Sequence, residues 1–323
     1  MATKELSEAR RAKKDEFYTQ LADVNNELQH YTSHFKGKTV LCNCDDPRVS
    51  NFFKYFSLNF KTLGLKRLIA TCYKNQQPDL FSQNKSEKAV YIIYDGEMNE
   101  NRMPDPDEMD IQYLQGNGDF RSKECIELLK QADIVCTNPP FSLFREYVAQ
   151  LIDYKKKFLI IGNINAVTYK DVFPLIKEGK MWFGASIHSG DREFGVPDDY
   201  PLTAAGHRVD AQGKKYIRVK GVRWFTNLDY KERHEDLELY RRYTPEEYPT
   251  YDNYDAINVD ETSEIPKDYD GLMGVPVSFL DKYNPEQFEI VGLDRYVEDN
   301  PKYGHRFKLN GKETYARILI RRK

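Results

Sequence analysis

Residues 133–162 read DIVCTNPPFSLFREYVAQLIDYKKKFLIIG, an amphipathic segment between two short apolar ones. Asp133 to Thr137 and Phe158 to Gly162 have the length and composition of buried strands, and Leu143 to Tyr154 has helical spacing. Apolar strands flanked by helices are typical of a parallel sheet covered on both faces. This stretch therefore predicts an α/β fold.

The same alternation extends towards the N-terminus. Apolar segments predict strands at Thr39 to Cys44, Arg67 to Tyr73 and Ala89 to Tyr94. Helical spacing predicts helices at Glu16 to Phe35, Ser50 to Leu63 and Glu124 to Gln131. Ser50 or Asn51 can cap the second of these helices, and Gly64 is placed to end it. After Gly184, Gly, Pro, Tyr and charged residues dominate, and the strand-like pieces are isolated. We expect a smaller α+β region there rather than a second sheet of the same kind.

The composition excludes several classes of protein. The 323 residues include 48 basic and 51 acidic side chains, a net charge of −3, and 40% apolar and 13% aromatic residues exclude a disordered or fibrous chain. No uncharged apolar run approaches the ~18 residues of a membrane span, and the N-terminus has no apolar signal core. We expect a soluble cytoplasmic protein with no membrane partner.

The cysteines and glycines give little sign of metal or ATP chemistry. The cysteines are Cys42, Cys44, Cys72, Cys125 and Cys136. Their odd number and apolar surroundings favour reduced core thiols, and no second Cys or His pair accompanies Cys42-x-Cys44, so we expect no metal site. Gly37-Lys38-Thr39 precedes a strand where a phosphate-binding loop needs a helix, and Gly116-x-Gly118 alone is weak evidence for a nucleotide.

Basic residues are concentrated in two segments. The N-terminal segment contains Lys4, Arg10, Arg11, Lys13 and Lys14. The second segment contains Arg208, Lys214, Lys215, Arg218, Lys220 and Arg223. It includes a single acidic residue, Asp210, and the aromatic Tyr216. Such runs are ordinarily solvated faces, and they become nucleic-acid contacts where the protein has a reason to meet phosphate.

Ligands of parallel sheets bind beyond the carboxyl ends of the strands. Three such ends carry candidate residues: 44–47 (CDDP), 116–120 (GNGDF) and 137–141 (TNPPF). In the third, the Asn138 side-chain oxygen and the Pro139 carbonyl form two acceptors for both hydrogens of an exocyclic amine, and Phe141 offers a face for a planar base. The alternative interpretation is a rigid turn, since proline cannot extend a ladder.

At these residues the sequence resembles a known family. Asn138-Pro139-Pro140-Phe141 is similar to motif IV of the amino-methyltransferases that use S-adenosylmethionine, and the surrounding sequence closely resembles the EcoRI-type adenine-specific DNA methyltransferases. Other segments that carry the resemblance are 15–20 (DEFYTQ), 42–52 (CNCDDPRVSNF), 118–122 (GDFRS), 224–229 (WFTNLD), 252–258 (DNYDAIN) and 274–276 (GVP). The resemblance covers nearly the whole chain and is most specific in its first two thirds.

The resemblance implies a class I S-adenosylmethionine-dependent methyltransferase fold. That fold is a mostly parallel seven-stranded sheet with one antiparallel strand and helices on both faces, here joined to a smaller α+β target-recognition region. We accordingly expect an N-terminal arm and helix with cofactor and DNA contacts at 1–30, a catalytic domain at 31–229 and the target-recognition region at 230–323.

The resemblance also implies residue roles. S-adenosylmethionine would contact Tyr18, Thr19, Asp45, Asp46, Asp119 and Phe120. The target base would lie at Asn138, Pro139, Pro140 and Phe141. Three alternatives stay open: Tyr18 as a core aromatic, Asp119 as a helix N-cap, and either Asp45 or Asp46 as the cofactor contact.

Two features depart from the wider superfamily. Asp45-Asp46-Pro47-Arg48 stands where motif I usually has a Gly-rich turn. The second strand ends in Thr71-Cys72-Tyr73, where an acidic residue usually binds the ribose hydroxyls. The ribose contact therefore has no candidate.

Size dictates how such an enzyme reaches adenine. A base inside a duplex must be flipped into the pocket, at a cost of a few kcal/mol that phosphate contacts offset. In-line attack by N6 then needs orientation more than a general base, and Cys136 is better interpreted as strand core than as a nucleophile. Candidate DNA contacts are the N-terminal arm, Arg208, Lys214, Lys215, Arg218, Lys220, Arg223, Asn253 and Asn258. The two asparagines are base readers or, alternatively, turn residues.

Three hypotheses follow. The first is a DNA adenine-N6 methyltransferase, acting as a monomer on double-stranded DNA, by resemblance at GAATTC, in a bacterial cytoplasm or encoded by a phage, with or without an independently acting restriction endonuclease. The second is a methyltransferase for a protein glutamine or an RNA base. The third is a non-catalytic DNA-binding relative, which the missing Gly-rich turn and missing ribose acid motivate.

Overall fold

The computed structural model describes residues 18–44, 46–73, 88–96, 110–188, 190–196, 200, 206–297 and 305–323. Asp45, predicted as a cofactor contact, and the basic N-terminal arm lie outside these residues. Two compact units can be distinguished. The first contains the described residues up to 163 and from 190 to 228, and the second contains 164–188 and 229–323.

Helices and strands alternate along the first half of the chain, and strands dominate the second half. In chain order the elements are β1 (Tyr18–Thr19), α1 (Leu21–Leu28), β2 (Thr39–Asn43), α2 (Asn51–Leu58), α3 (Phe60–Leu63), β3 (Arg67–Cys72), β4 (Val90–Tyr94), β5 (Gln112–Tyr113), α4 (Lys123–Gln131), β6 (Ile134–Thr137), α5 (Phe144–Asp153), β7 (Lys157–Asn163), α6 (Phe173–Lys177), β8 (Trp182–Phe183), β9 (Arg192–Val196), β10 (Arg208–Val209), β11 (Lys215–Val219), β12 (Val222–Thr226), β13 (Ile257–Asn258), β14 (Met273–Pro276), β15 (Phe288–Leu293), β16 (Lys308–Leu309), β17 (Lys312–Glu313) and β18 (Arg317–Arg322). In the described part of the chain, no helix is long and apolar enough to cross a membrane.

Within the described ranges, seven strands of the first unit form its main sheet, in the order β5-β4-β3-β2-β6-β7-β12. The four central strands β3, β2, β6 and β7 are parallel. Strands β4 and β12 run in the opposite direction, so the sheet has one more antiparallel strand, β4, than the resemblance implied. Burial along β4 alternates between buried and more exposed residues, a pattern that antiparallel strands permit.

The apolar segments form the core of this sheet. All residues of β2 and β6 are buried, and so are Phe52, Phe53 and Phe56 of α2. The predicted helix start is confirmed, since the Ser50 hydroxyl accepts a hydrogen bond from the Phe53 N–H at 3.4 Å. Gly64 ends α3 with a φ of +63°, as expected for a helix C-terminus.

The first unit also contains a four-stranded antiparallel sheet, in the order β1-β9-β11-β10. Tyr18 pairs with Gly195 and Thr19 with Phe194. The prediction of a helix from Glu16 was therefore wrong at its start, because Tyr18 and Thr19 are extended and α1 begins at Leu21. Strand pairing with a distant segment outweighs the local helical spacing here.

The second unit is built on the sheet β13-β14-β18-β15 and the hairpin β16-β17. Segment 164–188 belongs to this unit, whereas the sequence-based division assigned it to the catalytic domain. Its hydrogen bonds explain the difference: the Tyr296 hydroxyl donates to the Thr168 carbonyl at 3.2 Å, and the Tyr230 hydroxyl to the Phe183 carbonyl at 3.0 Å. Strand β1 and helix α1, expected in a separate N-terminal region, belong to the first unit.

Candidate active site

The carboxyl ends of the parallel strands lie along one edge of the main sheet. The sheet order changes direction between β2 and β6, which is the position where α/β sheets bind ligands. The ladder between these strands pairs Val40 with Ile134 and Leu41 with Val135, so that the strand ends Asn43 and Thr137 lie beyond it. The Asp46 turn follows β2 and the Asn138 segment follows β6 at this edge. The predicted segment 116–120 follows β5 in the chain and approaches the end of β3 through Gly118.

The turn after β2 is held by an aspartate and an arginine. The Asp46 side chain is fully buried and accepts from the Arg48 guanidinium through Nε at 2.9 Å and a terminal nitrogen at 2.5 Å. The Arg48 N–H donates to the same carboxylate at 3.0 Å. Asp46 thus has its charge neutralised within the turn, while Asp45 lies outside the described residues.

Cys44 explains how this turn dispenses with glycine. Its φ is +87°, in the left-handed region that favours glycine. A non-glycine residue in that region costs of order 1–3 kcal/mol, and such conformations cluster at functional sites. Cys44 thus has a backbone conformation that glycine ordinarily supplies.

The N-terminal strand lies against the same turn. Tyr18 and Thr19 are buried, and the Asn51 side-chain amide donates to the Thr19 carbonyl at 2.7 Å. Asn51 begins α2, directly after the Asp46 turn. Asn51, which was not predicted as a site residue, therefore links Thr19 to the helix that follows the Asp46 turn.

Gly118 lets the next loop approach the end of β3. It has a φ of +78°, and a Cβ there would lie 2.5 Å from the Cys72 carbonyl oxygen. The following Asp119 accepts from Arg121 at three nitrogens, the main-chain N–H at 2.9 Å, Nε at 2.9 Å and a terminal nitrogen at 2.7 Å. The hydrogen bonds from Arg121 lower the pKa of the Asp119 carboxyl.

The N-cap alternative for Asp119 is wrong. The N-cap of α4 is Ser122, whose hydroxyl accepts from the Cys125 N–H at 3.3 Å. Asp119 and Asp46 instead share one arrangement, a carboxylate held by the arginine two residues later. The Asp-x-Arg spacing is visible in the sequence, but neither Arg48 nor Arg121 was recognised as a site residue.

Helix α5 fixes Phe120. The rings of Phe120 and Tyr147 meet edge to face with centroids 5.0 Å apart, and the Gln150 side-chain amide donates to the Phe120 carbonyl at 3.0 Å. The Arg121 guanidinium lies over the Phe120 ring, 5.2 Å from its centroid. Tyr147, Gln150 and Arg121 therefore hold the aromatic face that the resemblance assigns to the cofactor adenine.

The Asn138 segment begins where β6 ends. Asn138 is 6% exposed, Pro139 is buried, and Phe141 is partly buried at the start of a 3₁₀ turn that ends at Leu143. Cys136 is fully buried in β6, and burial raises the pKa of its thiol. The interpretation of Cys136 as strand core is confirmed.

The end of β3 has hydroxyl and amide groups where the superfamily has an acid. The Asn117 side-chain amide donates to the Tyr73 hydroxyl at 3.3 Å, and the Asn117 side-chain oxygen accepts from the Asp119 N–H at 3.0 Å.

In the described part of the chain, no cluster of three His, Cys, Asp or Glu side chains could hold a metal ion.

Comparison with known proteins decides the family. A family model described as adenine-specific methyltransferase EcoRI matches residues 5–323. The chain belongs to this family. It is 51% identical to the Escherichia coli protein Type II methyltransferase M.EcoRI over 320 residues, 98% of this chain and 96% of the relative.

Two further relatives of this methyltransferase family are mycoplasmal. Type II methyltransferase M.MgeORF184P of Mycoplasma genitalium is 37% identical over 334 residues, and Type II methyltransferase M.MpnI of Mycoplasma pneumoniae is 36% identical over 335. Each alignment covers 98% of both chains. Among solved structures, no significant match was found.

Most of the basic residues predicted to contact DNA lie on the four-stranded sheet. Lys214, Arg218 and Lys220 are exposed, while Ile217 and Val219 between them are buried. Arg208 is exposed, pairs with Glu193 at 2.5 Å and lies over the Tyr216 ring, 4.3 Å from its centroid. Lys215 is partly buried. The alternation places these cations on a surface, as β-strand geometry requires.

Arg223 does not belong to this surface. It is 4% exposed within β12 and donates to the neighbouring Val222 carbonyl at 2.8 Å. Its prediction as a DNA contact treated the basic run as one face, but Arg223 lies past the turn at Gly221, in a buried strand of the main sheet.

The side chains of Asn253 and Asn258, in the second unit, are hydrogen-bonded to other residues of the protein. The Asn253 side chain donates to the Arg306 carbonyl at 3.2 Å and accepts from the Lys308 N–H at 2.8 Å. Asn258 is 4% exposed and bonded to three side chains, those of Tyr251, Asp260 and Arg317. These contacts support the alternative interpretation of both residues as structural.

Proposed function

We propose that this protein transfers a methyl group from S-adenosylmethionine to N6 of an adenine flipped out of double-stranded DNA, within GAATTC. The observation that carries the proposal is the meeting of Asn138-Pro139-Pro140-Phe141 with the Asp46 and Asp119 turns at one sheet edge. The 51% identity to Type II methyltransferase M.EcoRI supports the same target sequence.

The side chains at this sheet edge fit S-adenosylmethionine. Asp119 is held as a carboxylate by Arg121 and keeps lone pairs for an adenine amine, and Phe120 supplies an apolar face beside it. The Thr19 hydroxyl is buried and has no hydrogen-bond partner among the described residues, so a ligand group would satisfy it. Tyr18 and Asp46 complete the set, together with Asp45 by resemblance. The cofactor, when bound, supplies an electrophilic methyl group.

The Asn138 segment prepares the amine. The Asn138 side-chain oxygen and the Pro139 carbonyl accept the two hydrogens of N6, which draws the nitrogen lone pair out of conjugation with the ring. Phe141 stacks on the flipped base. Orientation and desolvation then carry the reaction, and Cys136 takes no part because it is buried and neutral.

The cations at the surface of the four-stranded sheet, four of them exposed and Lys215 partly buried, are suited to a DNA backbone. Arg208, Lys214, Lys215, Arg218 and Lys220 would neutralise phosphates and help offset the cost of flipping. Lys220 connects this surface to the active edge, because its carbonyl accepts from the Asn163 side-chain amide at 2.8 Å, at the carboxyl end of β7.

Two alternatives are weaker. The non-catalytic hypothesis rested partly on the missing Gly-rich turn, yet Cys44 keeps the left-handed backbone of such a turn. A protein or RNA substrate has no observation in its favour beyond the shared Asn-Pro-Pro-aromatic pocket. We further propose that the protein acts as a monomer in a bacterial cytoplasm, independently of any endonuclease, with the first unit as its catalytic domain and residues 230–323 of the second unit as its target-recognition region.

A methyl-transfer assay tests the proposal. Labelled S-adenosylmethionine is incubated with duplexes that contain or lack GAATTC, and the product nucleosides are identified. We expect N6-methyladenine in the GAATTC duplex alone, lost in Asn138→Ala and retained in the control Asn26→Ala, which alters an exposed position of α1. Methylation of other DNA would overturn the target sequence, and transfer to protein or RNA but to no DNA would overturn the substrate.

A further inference from the structure

Strands β2 and β6 separate where the active site begins. Their ladder includes Leu41 and Val135, two residues before the strand ends Asn43 and Thr137. Asn43 leads into the turn at Asp46, and Thr137 leads into the Asn138 segment. The gap between the strand ends is therefore also the boundary between the proposed cofactor side and the proposed base side of the site.

Two side chains bridge this gap, and both reach Asn43. The Thr137 hydroxyl donates to the main-chain carbonyl of Asn43. The Tyr147 hydroxyl donates to the side-chain oxygen of Asn43. Thr137 is 1% exposed and Tyr147 0% exposed, so water does not compete for either bond.

Each of the three residues touches a different part of the site. Thr137 directly precedes Asn138, and Asn43 directly precedes Cys44 with its left-handed backbone. Tyr147, on α5, packs its ring edge against Phe120. Burial raises the pKa of Tyr147 well above its usual range, which keeps its hydroxyl a neutral donor.

We propose that Thr137 and Tyr147 are positioning residues that, through Asn43, set the distance between the target-base acceptors and the cofactor turn. The inference rests on the proposed function and adds residues that do not themselves touch the reacting atoms. In-line methyl transfer requires close alignment of N6 with the methyl group, and a misplacement of about 1 Å can cost about 100-fold in rate.

The test separates turnover from binding. Thr137→Val and Tyr147→Phe remove one hydroxyl each at nearly constant shape, Thr137→Ser keeps the hydroxyl, and Tyr154→Phe is a matched control on the less buried end of α5. kcat and KM for the GAATTC duplex, the Kd for S-adenosylmethionine and the thermal midpoint are measured for each.

We expect kcat to fall about 10- to 100-fold in Thr137→Val and Tyr147→Phe, with cofactor Kd close to that of the wild type. Thr137→Ser and Tyr154→Phe should retain wild-type kcat. A fall in cofactor affinity or thermal midpoint at unchanged kcat would overturn the positioning role. An active wild type with equally active variants would overturn this inference alone, whereas a wild type inactive on every DNA would overturn the proposed function with it.

Asn43→Ala sharpens the test because the two bonds use different atoms of Asn43. It deletes the acceptor of Tyr147 but keeps the main-chain acceptor of Thr137. In the Asn43→Ala background, Tyr147→Phe should therefore cause no further loss of kcat, while Thr137→Val should cause its full loss. Equal further losses from both substitutions would contradict the proposed arrangement.

Discussion

Two aspartate–arginine pairs, one in each unit, serve different purposes. In the first unit, Asp119 is held by Arg121, two residues away in sequence, and 50% of the Arg121 side chain is exposed. In the second unit, Asp294 is held by Arg306, twelve residues away, and the Asp294 side chain is fully buried. The first pair shapes a turn at a site, whereas the second joins separate segments of the fold.

Asparagines show the same contrast. Asn138 directly follows β6 at the edge where ligands of parallel sheets bind, while Asn258 is hydrogen-bonded to Tyr251, Asp260 and Arg317 within its own unit. Residue type alone therefore does not distinguish a chemical role from a structural one. The position of the residue in the fold does.

The largest effect on stability is expected from Arg306→Ala. It leaves the buried Asp294 carboxylate without its arginine, and breaking a buried pair in this way costs about 3 kcal/mol. Chemical unfolding should show a marked loss of stability. Arg67→Ala is the control, because its pair with Asp95 is exposed on both sides and should contribute less than about 1 kcal/mol. Equal losses in the two variants would contradict a special contribution of the buried pair to stability.

Asn258→Ala is expected to have the next largest effect. The substitution removes one hydrogen-bond partner from each of three buried or half-buried contacts, although Tyr251 keeps the Gly274 carbonyl and Arg317 keeps Asp260. We expect about 2 kcal/mol of destabilisation. Sequence preference in the methylation assay should not change. A relaxed preference at normal stability would instead restore the interpretation of Asn258 as a base reader.

Asp119→Asn should weaken cofactor binding and leave the stability of the fold nearly unchanged. It removes a charged acceptor proposed for the cofactor, and a charge-assisted hydrogen bond of about 1.5 kcal/mol corresponds to roughly a tenfold weaker Kd for S-adenosylmethionine. The thermal midpoint should shift little, because Arg121 is half exposed. Calorimetric titration of the cofactor measures the first quantity, and unchanged affinity would remove Asp119 from the proposed site.

The smallest expected effect is a pH dependence in the second unit. His234 contacts Asp229 at 2.9 Å and Glu286 at 3.0 Å, and the bond to Asp229 is the main cause of its raised pKa. A raised pKa contributes stability that is fully present below the unfolded value of 6.5 and is lost as pH rises through the folded pKa. His234→Gln should flatten this dependence by less than about 1 kcal/mol, since the pair is exposed. Unfolding curves on either side of neutral pH measure it, and an unaltered slope would assign the dependence to other groups.

The sequence predicts the elements whose signal is local. The apolar runs correctly located β6 and β7, and the helix signals at Ser50 and Gly64 were confirmed. The segments with Asp46 and Asn138 follow the parallel strands β2 and β6 at one edge, as the parallel order requires. The segment with Asp119 follows β5 and reaches the end of β3 through Gly118.

What the sequence missed depends on partners far along the chain. Strand β1 exists because Thr19 pairs with Phe194, and Asn253 is structural because Arg306 and Lys308 lie beside it. Arg223 looked continuous with the basic run, yet the turn at Gly221 moves it into a buried strand. The local periodicity of the sequence does not predict any of these contacts.

Cys44, with its left-handed backbone in the turn proposed to hold the cofactor, also has a practical use. Cys42, Cys72, Cys125 and Cys136 are buried, whereas Cys44 is partly exposed. A thiol-reactive fluorophore should therefore modify Cys44 first, and saturating S-adenosylmethionine should slow that modification if the turn holds the ligand. The rate of Cys44 labelling in the wild-type chain would thus report whether the cofactor is bound. Cys44→Ser, which lacks this thiol, is the control for labelling elsewhere.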